Sequence, residues 1–196
     1  MAETPKDYLT ELCCGEDERA EAAAIALAAL PAGQAEEIYP ALQDLLGDPR
    51  PDVRWWAVRA MAGIKNDQVL SSLLAALADQ DTAVRQCAAL SLRLRPDPHA
   101  VSALVGALAD RDHLVVALAA DALAEIGEPA VPALLEVVQN GKQAARLEAV
   151  RALAKIGDHR SIPALFAALD EGSALMEYWA SEGLERMGVG MMFFKP

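Results

Sequence analysis

Aromatic residues make up only 5% of this 196-residue chain, and clusters of β-branched residues of the kind that build strands are scarce. A sheet is therefore not expected, and the alanine and aliphatic residues that dominate point to an all-helical fold. Bases are also in short supply, with 17 Lys and Arg against 29 Asp and Glu and a net charge of −12. The average surface would repel duplex phosphate unless a basic stripe were concentrated somewhere. Cysteine is confined to Cys13, Cys14 and Cys87. An odd number that includes an adjacent pair is neither a disulfide framework nor a zinc spacing, and a reducing cytoplasm is the expected location. No apolar run approaches the roughly 20 residues of a membrane-spanning helix. The opening MAETPKDYLT is polar and acidic, unlike a secretory signal. No nucleophile elbow, phosphate loop, H-E-x-x-H or C-x-x-C is present, so no enzyme class has a supporting constellation.

What the chain does contain is a repeat. The segments PALQDLLGD (40–48), SSLLAALAD (71–79), SALVGALAD (102–110), PALLEVVQN (132–140) and PALFAALDE (163–171) lie 31, 31, 30 and 31 residues apart. Leucine recurs at Leu42, Leu73, Leu104, Leu134 and Leu165, and an apolar residue follows four later. In the second half of each unit, alanine holds one column at Ala57, Ala88, Ala119, Ala149 and Ala180, and Met61, Leu92, Leu123, Leu153 and Leu184 hold the next large apolar column. Each unit reads as an antiparallel helix pair. An acidic turn (Asp48, Asp79, Asp110) is expected to cap the second helix, and Gly127 and Gly157 to end it. One such pair cannot bury its apolar stripe alone, so neighbours must stack into a solenoid.

This pattern resembles the short HEAT-like repeats of phycobilisome lyases, with their P-x-L-x-x-L-L-x-D and V-R-x-x-A-x-x-A-L-x-x-I-G halves, through Val53-Arg54 and Val84-Arg85 above all. The resemblance covers roughly residues 35 to 188 and weakens where Val116 and Glu177 replace the arginine. It implies an all-α, right-handed superhelix of five to six helix pairs. The expected organisation is a single domain: a degenerate capping pair at 1–34, repeats at 35–65, 66–96, 97–127, 128–157 and 158–188, all within 35–190, and an apolar tail at 191–196. That tail, MMFFKP, either folds back over the last repeat or inserts into a second copy.

In solenoids that resemble this one, the second helices line the concave surface. With Val53, Ala57, Ala60, Met61 and Ile64 on one apolar arc, Trp55 and Arg59 fall on the opposite side and Trp56 on its shoulder. Carried through the repeats, these positions give the expected groove: Trp55, Trp56, Arg59, Cys87, Leu90, Leu118, Asp121, Leu147, Arg151, Tyr178, Trp179 and Glu182. The bases Arg59, Arg151, Lys155 and Arg186 balance the acids Asp121, Glu125, Glu148 and Glu182 there. A neutral, aromatic-ended groove on an acidic molecule argues against nucleic acid and for a protein partner, a second copy or a flat apolar ligand. Trp56 and Trp179 are either contacts or fillers between neighbouring helices. Cys87 is expected as small buried filler within the same column. Arg54, Arg85 and Arg146 share a column beside the acidic turns, where an Asp–Arg ladder between repeats is expected. His99, His113 and His159 are placed in turns or links, and His99 and His159, two units apart, are too far from each other to share a metal.

The expected function is thus a non-enzymatic interaction scaffold without cofactor or metal. The alternative, implied by the resemblance alone, is a lyase or chaperone-like subunit that handles a linear tetrapyrrole on a light-harvesting partner.

Overall fold

The computed structural model describes residues 4–64, 66 and 68–189. Segment 191–196, and with it the expected packing of the tail, lies outside the described residues. Twelve α-helices and no strand occur among the described residues, so the fold is all-α. Contacts divide the chain into two compact units, Met1–Arg95 and Pro96–Pro196, and each is described by itself.

The first unit contains α1 (Pro5–Leu12), α2 (Asp17–Ala28), α3 (Ala32–Leu45), α4 (Pro51–Met61), α5 (Val69–Ala76) and α6 (Thr82–Leu94). Local chemistry sets their starts. The Thr4 backbone N–H donates to Asp7 Oδ2 at 2.7 Å while Thr4 Oγ1 accepts from the Asp7 N–H, a reciprocal capping box ahead of Pro5. The Asp81 carboxylate accepts from the N–H groups of Ala83 (2.8 Å) and Val84 (3.4 Å) to open α6. Helices α1, α3 and α5 pack on α2, α4 and α6 respectively, and α4 lies between α2 and α6. Leu27, Leu42, Val53, Met61, Leu73 and Leu92 are buried in this core, each contributing about 1.5–3 kcal/mol. A polar clamp crosses from one pair to the next. The buried Tyr39 hydroxyl of α3 lies 2.8 Å from the Gln68 carbonyl oxygen and 2.8 Å from Ser72 Oγ of α5.

The second unit contains α7 (Val101–Ala107), α8 (His113–Ile126), α9 (Val131–Asn140), α10 (Gln143–Ile156), α11 (Ile162–Leu169) and α12 (Ala174–Arg186). Single 3-10 turns, Pro98–Ala100, Glu128–Ala130 and His159–Ser161, lead directly into α7, α9 and α11. Helix α10 packs against both α8 and α12, and α7, α9 and α11 pack on the same row. Gly157 ends α10 in the left-handed region, φ 70° and ψ 27°, which an L side chain would resist.

One detail of the turns differs from expectation. Asp48, Asp79 and Asp110 are not helix caps. Each instead accepts a hydrogen bond from the N–H two residues later, at Arg50 (2.9 Å), Asp81 (2.8 Å) and Asp112 (2.8 Å), forming an Asx turn. The capping oxygens of α6 and α8 belong to Asp81 and Asp112. His113 is likewise the first residue of α8 rather than part of a link.

Candidate partner-binding surface

The site begins with the period of α4. Val53, Ala57, Val58, Ala60 and Met61 face inward and are fully buried, which leaves Trp55, Trp56 and Arg59 half-exposed. Adjacent residues on a helix diverge by about 100°, yet the two indoles fold back to meet edge to face, centroids 4.5 Å apart at 90°. In α12, Met176, Ala180, Gly183 and Leu184 are buried. There Tyr178, 57% exposed, and the half-buried Trp179 repeat the arrangement with centroids 5.0 Å apart at 74°. An edge-to-face aromatic pair thus occupies the same repeat position in each unit.

Beside the first pair lies an open cleft of about 510 Å³ lined by Trp55, Trp56, Pro51, Ala83 and three carboxylates, Asp17, Asp52 and Asp81. These acids occupy the N-cap or first turn of α2, α4 and α6. Sequence reasoning missed them, although aligning the starts of the second helices places an acid near each.

Four charged positions of these columns, Asp121, Glu148, Arg151 and Lys155, are committed to one another. Arg151 donates from Nε to Glu148 Oε2 (2.6 Å), from Nη1 to Asp121 Oδ1 (2.7 Å) and from Nη2 to the Ala117 carbonyl (3.0 Å). Lys155 Nζ donates to the same Asp121 oxygen at 2.6 Å. Burial pushes the Asp121 carboxyl up, but Lys155 and Arg151 outweigh it and hold it below the ordinary carboxylate range. Half of the bases and acids in these columns are therefore tied into hydrogen-bonded pairs, within α10 and between α8 and α10. Arg59 differs, having no ion-pair partner among the described residues.

The remaining positions divide clearly. Leu90 is exposed on α6; Leu118 on α8, Leu147 on α10 and Glu182 on α12 are half-buried. Cys87 lies in the core at 5% exposure, as a small filler would, its thiol donating weakly to the Trp55 carbonyl at 3.9 Å. Burial pushes that thiol up to about 11.

The arginine column makes the ladder. Arg54 forks onto Asp79, with Nε and Nη2 each 2.8 Å from a carboxylate oxygen, while its Nη1 donates to the Asp48 carbonyl at 2.9 Å. Arg146 donates to the Val138 carbonyl at 2.8 Å and pairs with Glu171, so the acid there is glutamate. His99 and His159 are exposed in 3-10 turns. No cluster of three or more His, Cys, Asp or Glu among the described residues could hold a metal ion. No helix among the described residues is long and apolar enough to cross a membrane.

Known proteins with this architecture are helical-repeat proteins. A family profile described as HEAT repeats matches residues 8–93, 39–120, 70–144 and 101–185. No curated protein sequence matches the chain. Among solved structures, the complex of CpcE and CpcF of phycocyanin lyase from Nostoc sp. PCC7120 is similar at 21% identity and a TM-score of 0.56, covering 96% of this chain and 78% of that one. A designed armadillo repeat protein in complex with the peptide (KR)4 is similar at 20% identity and a TM-score of 0.54, covering 95% and 100%. An engineered protein, structural genomics target OR329, is similar at 23% identity and a TM-score of 0.54, covering 96% and 98%. At these identities the likeness is one of fold.

Proposed function

The chain belongs to the HEAT-repeat family, and from that premise we propose that it is a non-enzymatic scaffold that binds a protein partner on the outward faces of its second helices. The observation that carries this reading is the recurrence of an edge-to-face aromatic pair at one repeat position, Trp55–Trp56 and Tyr178–Trp179, with ring surface left accessible in both. Packing inside a helix pair requires no aromatic there, since Gln86 and Ala117 fill the same column in other repeats. Large rigid rings with a few charges beside them form the composition of a binding hot spot. A polyanion is disfavoured because the net charge is −12 and two of the four bases of the expected groove, Arg151 and Lys155, are paired. The designed armadillo protein that holds (KR)4 illustrates that this architecture accommodates an extended peptide.

The test is selection of peptides from a random display library on the immobilised protein, followed by affinity measurement on the Trp55→Ala, Tyr178→Ala double variant. Loss of at least about tenfold in a variant that keeps the helical circular dichroism of the folded protein is expected. Selected peptides that bind the double variant equally well would overturn the reading.

The fold shared with the phycocyanin lyase complex keeps one alternative, in which the guest of the aromatic pairs is a linear tetrapyrrole. Mixing the protein with a bilin discriminates the two. A red-shifted pigment with quenched tryptophan emission supports the tetrapyrrole, and an unchanged spectrum leaves the protein partner.

A further inference from the structure

The cleft beside Trp55 and Trp56 has a sign. Asp17, Asp52 and Asp81 stand around two indoles, and each carboxylate comes from the start of a different helix, α2, α4 and α6. Nearby cations hydrogen-bond elsewhere, Arg50 to Asp48, Arg54 to Asp79 and Arg19 to Glu11, so that Arg50 reaches Asp52 and Arg54 reaches Asp81 only through space. Asp81 turns one oxygen to the N–H groups of Ala83 and Val84. Asp17 and Asp52 have no ion-pair partner among the described residues. Arg59, one turn further along α4, does not line the cleft.

Each class of guest meets a different energy. An anion would face three carboxylates. A neutral apolar guest would cover the indoles but strip water from the acids and give nothing in return. A cation is attracted by the ring faces and by the carboxylates together, and a planar guanidinium can lie on an indole while its edge donates to an acid. The cleft is open rather than enclosed, so a chain carrying that side chain can enter and leave it. At about 510 Å³ it has room for side chains, not for a packed helix. The molecule's overall charge of −12 would draw a basic segment toward it.

We infer that the Trp55–Trp56 cleft seats an arginine or lysine side chain of a basic peptide segment, with the indoles as its bed and Asp17, Asp52 and Asp81 as its counter-charges. This inference rests on the reading of the second-helix surface as a protein-docking site and names the chemistry of the partner there.

The experiment titrates a capped Arg-Ser-Arg-Ser-Arg-Ser peptide into the full chain, following tryptophan emission and heat, with a Gln-Ser peptide of equal length as the neutral control. The basic peptide is expected to bind, to perturb the emission and to weaken as salt rises. Trp55→Ala, and separately Asp17→Asn with Asp52→Asn, are each expected to weaken it by about tenfold while the variants keep the helical circular dichroism of the folded protein at the assay temperature. Basic peptide binding no better than the neutral control, or equally well to both variants, overturns the inference. If display-selected neutral peptides bind and lose affinity in Trp55→Ala, the docking surface stands and the cationic guest falls. If no peptide of any class responds to Trp55→Ala, the docking reading at this cleft falls with it.

Discussion

Trp55 and Trp56 touch edge to face, their ring centroids 4.5 Å apart at 90°, although the helix that carries them points consecutive side chains in different directions. Each ring therefore limits the rotamers of the other. Pairs of this geometry contribute about 0.5–1.5 kcal/mol beyond their buried area. A double-mutant cycle of Trp55→Ala and Trp56→Ala, followed by urea denaturation, should return a coupling energy in that range. Effects that add to within about 0.3 kcal/mol would show that the rings sit side by side without cooperating.

The Arg54–Asp79 fork ties one acidic turn to the next, and both side chains are only 13% exposed. Replacing Asp79 with Asn removes one charge-assisted acceptor and leaves a guanidinium poorly satisfied, a cost of about 1–3 kcal/mol. The Arg54 guanidinium holds the Asp79 carboxyl below its ordinary value. A depressed folded-state value contributes stability that is present above the unfolded value of about 3.9 and is lost as pH falls through the folded one. Wild-type stability should therefore drop more steeply than that of Asp79→Asn between about pH 5 and pH 2. Parallel curves in acid titrations monitored by circular dichroism would refute the linkage.

The helix pairs were legible because burial repeats in register: Leu42, Leu73, Leu104, Leu134 and Leu165 are all buried at 0–1% exposure, and one spacing encodes them all. Side-chain partnerships were less so. Asp121 and Arg151 stand in a single column one repeat apart and bond at 2.7 Å, so their pairing was visible in principle; counting the column's charges without pairing them hid it. The cleft was harder, because Asp17, Asp52 and Asp81 come from three helices and no local spacing relates them. Composition also predicts poorly which of two turn aspartates caps. Asp79 is claimed by Arg54, which leaves Asp81 to open α6.

Arg151 tests whether its column is structural. Its side chain is 13% exposed and reaches Glu148, Asp121 and the Ala117 carbonyl at once. Arg151→Ala leaves Asp121 with Lys155 alone and takes the partner from Glu148, which should lower stability by about 1–3 kcal/mol. Arg151→Lys should recover little, because a single ammonium cannot span three acceptors set apart in a fork. A lysine variant that melts like the wild type would mean that charge alone, not the fork, holds α10 to α8.

Cys87 offers a chemical readout of burial. With its thiol pushed up to about 11, roughly one part in a thousand is ionised at pH 8. Cys13 and Cys14 are half-buried, so iodoacetamide should modify them first and Cys87 only after denaturant is added. Peptide mass spectrometry over time reads the order directly. Modification of Cys87 in the native protein at the same rate would contradict its placement between α4 and α6.

Gly183 sits where α12 meets α10 and α11. A Cβ added there would stand 2.8 Å from Ala154 Cβ, 2.9 Å from Ala154 Cα and 3.0 Å from Leu165 Cδ1. Two effects oppose each other in Gly183→Ala. Alanine in a helix interior gains up to about 1 kcal/mol of propensity over glycine, whereas overpacking costs about 1–3 kcal/mol. Here overpacking should win, because the nearest obstacles are a backbone carbon and the Cβ fixed to it, and neither can rotate away. The variant should melt below wild type, and adding Ala154→Gly should restore most of the loss by removing the obstructing Cβ. If Gly183→Ala instead raises the melting temperature, α12 and α10 have room to separate, and the Gly183–Ala154 contact does not set their spacing.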